Sequence, residues 1–181
     1  MRLSYPEPDL SDGVVRLRRW KDGDFECVRE ASSDSRIPEG TTVPAVFTAE
    51  LAHAFIERQQ GRVEAGDGVS LAVADLNTGS ALGLAVLLVR PQPAVVGIGY
   101  WIVPLARGRG LATRATRLLS EWALAEAGVA RVEAWVEPEN VASQRVLTAA
   151  GFMREGLLRS FLSYPSRRAD AVVFARTNRG A

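Results

Sequence analysis

The chain has 181 residues, 47% of them hydrophobic, and its 22 basic residues nearly cancel 21 acidic ones to leave a net charge of +1. That length can bury a sizeable core and suits one domain, while the near-zero charge excludes a global field for nucleic acid or acidic membranes and confines any anion site to a local patch. A single cysteine, Cys27, excludes an intrachain disulfide, and a single histidine, His53, leaves no zinc-type cluster, so no metal is expected.

In chain order, the opening "MRLSYPEPDL" lacks the apolar core of a signal peptide, and the longest apolar run, "ALGLAVLLV", is half a membrane span. A cytoplasmic location is the expectation. The polar stretches "PEPDLSDG" and "TNRGA" are expected to be tails. "VVRLRRW" (14–20) alternates as a strand, and Asp22 or Asp24 is placed to cap a helix through "FECVREASS". "TAELAHAFIERQQG" predicts a helix with a capping-box start at Thr48 and a stop at Gly61. "GVSLAVADL", the turn "NTGS" and "ALGLAVLLV" make a hairpin, and "AVVGIGYWIV" (94–103) is a fourth strand softened by Gly97 and Gly99. Leu111, Ala115, Leu118, Leu119 and Trp122 share one face of the next helix, with Gly128 as its stop. In the strand "ARVEAWVEP", Val132, Ala134 and Val136 lie on one face, Glu133 and Trp135 on the other. "NVASQRVLTAAG" predicts a short helix capped by Asn140, and "FMREGLLRSFLSY" and "ADAVVFAR" two last strands. This order implies an α/β or mixed α+β layer fold.

Between the fourth strand and the long helix lies "ARGRGLATR". A strand ending at Val103, a glycine turn over 107–110 and a helix starting near Gly110 build a cup of unpaired N–H groups at the positive end of a helix dipole, which suits phosphate. Gly108, Gly110 and Ala112 keep bulk away from the oxygens, and Arg107, Arg109, Arg114 and Arg117 add charge at the rim. The rival reading is an ordinary turn with solvated arginines. The segment lacks the Gly-Lys-Ser/Thr of a nucleoside-triphosphate loop and the G-x-G-x-x-G of a dinucleotide fold.

"RGRGLA" resembles the (Arg/Gln)-x-x-Gly-x-(Gly/Ala) loop of the GCN5-related N-acetyltransferase (GNAT) superfamily. "PENVASQRVLTAAGF" and "GVVRLRRWKDGD" are similar to segments of its RimJ/RimL-like branch. The resemblance spans roughly residues 13–176 and implies one GNAT domain over 1–181 with short polar tails. It further implies a strongly twisted mixed sheet of about seven strands and about four helices, whose fourth and fifth strands splay apart to admit acetyl-CoA or another acyl-CoA. By the same resemblance, the backbone of Trp101, Ile102 and Val103 pairs with pantetheine, and the N–H groups from Arg107 through Gly108, Arg109, Gly110, Leu111 and Ala112 hold the pyrophosphate. Asn140 would contact pantetheine, Ser143 would assist the leaving thiolate, and Arg145 would reach the phosphates or face water. Each has a plainer rival: Asn140 is a good helix cap, Ser143 can satisfy a first-turn donor, and Trp101, Trp135 and Phe152 are natural core residues.

The resemblance implies an acyl-CoA-dependent N-acyltransferase acting by direct attack of a neutral primary amine. An α-amine with pKa near ~7.8 is roughly one-third neutral at pH 7.5, whereas lysine near ~10.4 is about 0.1% neutral, so a protein or peptide N-terminus needs less help from a base. The inherited base is missing: Gly97 stands where many relatives carry glutamate, and Phe161 and Leu162 replace a second carboxylate. Glu133 is the substitute candidate, against the alternative of a surface strand glutamate. His53 and Glu39, in "RIPEGTT", are weaker candidates for the acceptor side. A small amine or antibiotic acceptor is the related alternative, and a non-catalytic acyl-CoA sensor is the alternative from another class. Homodimers are common in the family. Nucleic-acid binding is disfavoured because no aromatics interleave with the arginines.

Overall fold

The computed structural model describes residues 1–178, and its eight strands join one mixed sheet in the order β1-β2-β3-β4-β5-β6-β8-β7. The strands are β1 (Leu10–Ser11), β2 (Val15–Arg18), β3 (Gly68–Asp75), β4 (Ala81–Val89), β5 (Val95–Ile102), β6 (Arg131–Val136), β7 (Met153–Ser163) and β8 (Arg168–Thr177). The helices are α1 (Phe25–Ser32), α2 (Arg36–Gly40), α3 (Ala49–Gln60), α4 (Arg62–Ala65), α5 (Leu111–Ala125) and α6 (Val141–Ala149). β1, α2 and α4 are additions to the seven strands and four helices expected. Each is too short for periodicity to reveal.

Local chemistry accounts for most boundaries. Asp75 accepts hydrogen bonds from the N–H groups of Asn77 and Thr78, both at 3.0 Å, which closes the β3–β4 turn and sets its register. Thr48 Oγ1 accepts the Leu51 N–H at 3.2 Å and caps α3. Gly61 ends α3, but at φ −74° the chain keeps its helical hand into α4 and reverses only at Gly66, where φ is +77°. Neither aspartate caps α1 as expected. The Asp24 carboxylate turns inward, where Arg18 grips both its oxygens at 2.8 Å in a buried pair, and Asp22 stays at the surface. The stretch "PEPDLSDG" is no loose tail either. Leu10–Ser11 pairs with β2, and just upstream Leu3 is buried and the Tyr5 hydroxyl donates to the Gln60 carbonyl at 2.9 Å. Of "TNRGA", Thr177 ends β8 and Asn178 donates to the Leu124 carbonyl, while residues 179–181 lie outside the described residues.

Two helical layers cover the sheet. α5 buries Leu111, Ala115, Leu119 and Trp122, with Leu118 half-buried, as its spacing predicts. Fully burying one leucine is worth about 1.5–3 kcal/mol, so this face alone anchors the helix. Phe55 of α3 packs among Trp20 and Trp101 with ring centroids 5.5 and 6.4 Å away, which makes Trp101 a core residue. The feature that positions the site is the junction of β5 and β6. They pair in parallel at only three rungs, ending at Gly97↔Glu133. Beyond that rung they part, yet β5 still pairs with β4 to Ile102 and β6 with β8 to Val136. The gap is therefore bordered by two intact ladders.

Candidate active site

The gap exposes main chain. The Val103 N–H donates to the Leu82 carbonyl at 2.9 Å, so alternation turns the N–H and C=O groups of Tyr100 and Ile102 toward the gap, while those of Trp101 face β4. The Ile102 carbonyl already accepts from Arg107 Nε at 3.0 Å. Of the segment Trp101 to Val103, the Ile102 N–H is thus the main-chain group left facing the gap without a partner, beside both groups of Tyr100.

Immediately after β5, Gly108 and Gly110 adopt φ of +74° and +73°, in the left-handed region open to glycine, and an added Cβ at either would meet nothing within 4 Å. Gly110 precedes α5 without a side-chain cap, so the first-turn donors of Leu111 and Ala112 point out of the helix unsatisfied. The glycine turn and the uncapped helix start thus lie where the sequence places them. The arginines here are more engaged than expected. Arg107 is tied to Ile102 and to Asp34, which Arg36 also grips. The Arg36 hydrogen bond, with Arg107 assisting against desolvation, holds Asp34 well below the usual carboxylate range. Arg117 donates to the Ala149 carbonyl at 2.8 Å and braces α5 against α6. Arg109 lies 3.7 Å from Asp75 and Arg114 2.7 Å from Asp12. Such largely exposed pairs are worth about 0–1 kcal/mol.

Across the gap, Asn140 Oδ1 accepts the Ser143 N–H at 3.1 Å and caps α6. The Tyr100 hydroxyl donates to the Ser143 carbonyl at 3.1 Å. Burial pushes the Tyr100 phenol up to about 12, so it stays protonated and keeps that bond at neutral pH. Ser143 is thereby fixed at both ends, with its hydroxyl beside the Tyr100 phenol. Arg145 lies on the exposed side of α6.

On the opposite face of the sheet, the same rung opens into a cavity of about 690 Å³ whose lining includes Arg90, Glu133, Trp135, Leu158 and Phe161. Glu133 is no surface strand residue: its side chain is 13% exposed and pairs with Arg131 at 3.2 Å and Arg90 at 3.5 Å. Trp135 meets Phe161 edge to face at 4.7 Å. Arg90, which the sequence reading passed over, lies across Gly97, where an added Cβ would fall 2.3–2.7 Å from the guanidinium atoms. The signal for it was the glycine itself, which marks close approach of another group.

A second group also escaped the sequence reading. Arg167, in the β7–β8 turn, donates to Glu39 of α2 at 2.9 Å and to Glu137 after β6 at 2.6 Å, and Tyr164 donates to Glu137 at 2.7 Å. Glu39 is therefore held by an arginine within the protein. His53 is exposed on α3. Among the described residues no three His, Cys, Asp or Glu side chains gather as a metal site, and no helix is long and apolar enough to cross a membrane.

A family model described as an acetyltransferase (GNAT) domain matches residues 15–153. Among curated proteins, the chain is 31% identical over 134 residues to YjcK of Bacillus subtilis, named a probable N-acetyltransferase, covering 73% of this chain and 74% of that one. It is 30% identical over 163 residues to the uncharacterized N-acetyltransferase YnaD of the same organism, covering 88% and 91%. Among solved structures, Mycobacterium smegmatis RimJ in complex with CoA-disulfide superposes with a TM-score of 0.80 at 24% identity, covering 98% of this chain and 90% of that one.

Proposed function

Because the chain belongs to the GNAT acetyltransferase family and is an N-acetyltransferase, we propose that it transfers acetyl from acetyl-CoA to the primary α-amine of a protein or peptide, by direct attack in a ternary complex. The observation that carries this reading is the gap past Gly97 and Glu133, with unpaired N–H groups at one mouth and a cavity at the other. The proposed unit is one domain with its core over about 13–176, working in the cytoplasm.

The residues present fit the cofactor. The loop from Arg107 to Ala112 offers donors with open space above them, as a diphosphate requires. The Ile102 N–H and the main chain of Tyr100 face the gap as a strand edge for an amide-bearing arm. Asn140 keeps its carboxamide nitrogen free while its oxygen caps α6. Arg145 stands on the same helix as a rim cation. Bound acetyl-CoA supplies the activated thioester.

The chain's own groups then divide the work. The main-chain N–H groups facing the gap polarise the carbonyl. The Ser143 hydroxyl, held in place through its N–H and C=O, lends a proton to the departing sulfur and recovers one released by the amine, so the new C–N bond and the broken C–S bond leave an amide and a thiol. Glu133 is held by two arginines and is not free to swing to an incoming amine. That favours an acceptor already substantially neutral near pH 7.5, an α-amine rather than a lysine. Thiol release from acetyl-CoA, measured on a peptide and small-amine panel for the parent and Ser143→Ala, tests the reading. Acceptor-dependent release on α-amines, slowed by the substitution, is expected. Tight acetyl-CoA binding with no release on any acceptor would instead mark a sensor.

A further inference from the structure

We propose that Arg90 receives a carboxylate carried by the acceptor close to its amine, and that Arg90 and Gly97 together form the specificity device of this site. The inference rests on the acetyltransferase reading and deepens it.

Arg90 sits just past the end of β4, and its guanidinium lies 3.7 Å from the centre of the Trp135 ring, stacked on it. The side chain is only 22% exposed. Its one ion-pair partner among the described residues, Glu133, is 3.5 Å away, a contact longer than a good hydrogen bond. Nε is buried with no hydrogen-bond partner, and among the described residues nothing accepts from the terminal nitrogens. A guanidinium carries five N–H donors in a fixed fork matched to a carboxylate; here Nε is buried and unmet, while the terminal nitrogens are not buried and are open to a ligand. Arg131, by contrast, is fully occupied: it donates to Glu133 and, through both terminal nitrogens, to Glu155.

The surroundings agree. The charged residues lining the cavity are Arg90, Arg131 and Glu133; Glu155 and Glu133 together occupy Arg131, so Arg90 is the lining cation whose fork stays open. A guanidinium with open donors at the wall favours an anionic group of the acceptor and disfavours an ammonium beside it. Trp135, Phe161, Leu158 and Val173 supply an apolar wall for the remainder of the acceptor. Gly97 makes the arrangement possible, because any side chain there would occupy the volume of the guanidinium. The wall lies beside the last β5–β6 rung, so a carboxylate on Arg90 sits within a few bonds of an amine aimed through the gap. Two sources carry that chemistry: the α-carboxylate of a free amino acid, or the acidic side chain of a peptide's leading residue.

The test compares matched acceptors with acetyl-CoA at equal concentrations of neutral amine. Phenylalanine is set against phenylalaninamide, and a glutamyl peptide amide against its glutaminyl counterpart. In the parent, the carboxylate member of at least one pair is expected to show kcat/KM higher by about tenfold or more, chiefly through KM. Which pair responds identifies the source. Arg90→Gln should abolish the preference and Arg90→Lys should retain part of it. Equal rates within both pairs in the parent, or a preference that survives Arg90→Gln, would overturn the assignment while leaving the acetyltransferase reading intact. No turnover of any acceptor while acetyl-CoA binds would overturn both. The parent comparison decides even if a variant does not fold.

Discussion

Replacing Asn140 separates two roles that one side chain fills. Its Oδ1 accepts the Ser143 N–H at 3.1 Å, and Asn140→Ala removes that cap from a nine-residue helix. Losing such a cap costs about 1 kcal/mol, which for a chain of this size lowers Tm by about 2–4 °C. Asn140→Ser keeps a capping oxygen and should melt within about 1 °C of the parent, yet it lacks the carboxamide N–H groups proposed to meet pantetheine. One lost hydrogen bond of about 1.4 kcal/mol is a tenfold change, so KM for acetyl-CoA should rise about tenfold in both variants, with Tm falling only in the alanine one. Thermal melts beside thiol-release kinetics at varied acetyl-CoA read both quantities. A serine variant with parental KM would show that Asn140 is a cap and nothing more. An alanine variant with parental Tm would refute the capping argument.

Gly110→Ala places a Cβ in open space at φ +73°, so its effect is backbone strain of about 1–2 kcal/mol. A raised KM for acetyl-CoA with a Tm drop of a few degrees is expected, and an unchanged KM would remove this turn from the cofactor site. Asp24→Ala strands the buried Arg18 guanidinium and should cost about 3–5 kcal/mol in denaturant unfolding, against under about 1 kcal/mol if the pair is incidental. Acid should also destabilise the fold. Arg167 and Tyr164 hold Glu137 below its ordinary value, and Arg131 does the same for Glu155. Unfolding therefore takes up protons: this stability is complete above the unfolded value of about 4.3 and is lost as pH falls through the lower folded-state values. Melts between about pH 3 and 6 check the sign, and a Tm that climbs on acidification contradicts it.

Much of the framework was legible because its causes are local. The buried stripe of α5, the Thr48 and Asn140 caps and the glycines at 108 and 110 each depend on residues within a turn or two. The errors share a different origin. Asp24 has the chemistry of a cap, but Arg18 is threaded onward to the Gly79 carbonyl, 61 residues away, and draws the carboxylate inward. Alternation put Glu133 opposite Val132 correctly. Whether that face met water depended on Arg90 and Phe161, which only the folded sheet brings there. Glu39 looked free because its partner, Arg167, lies 128 residues along the chain.

Arg107 illustrates what such distant partners accomplish. Read along the chain it is a phosphate ligand, yet in the fold its head group is occupied on one side by the Ile102 carbonyl and on the other by Asp34. The turn that follows is consequently pinned at its start before any ligand arrives. The entropy of shaping it is charged to folding rather than to binding, so the diphosphate proposed to bind there would meet a preorganised ring of donors.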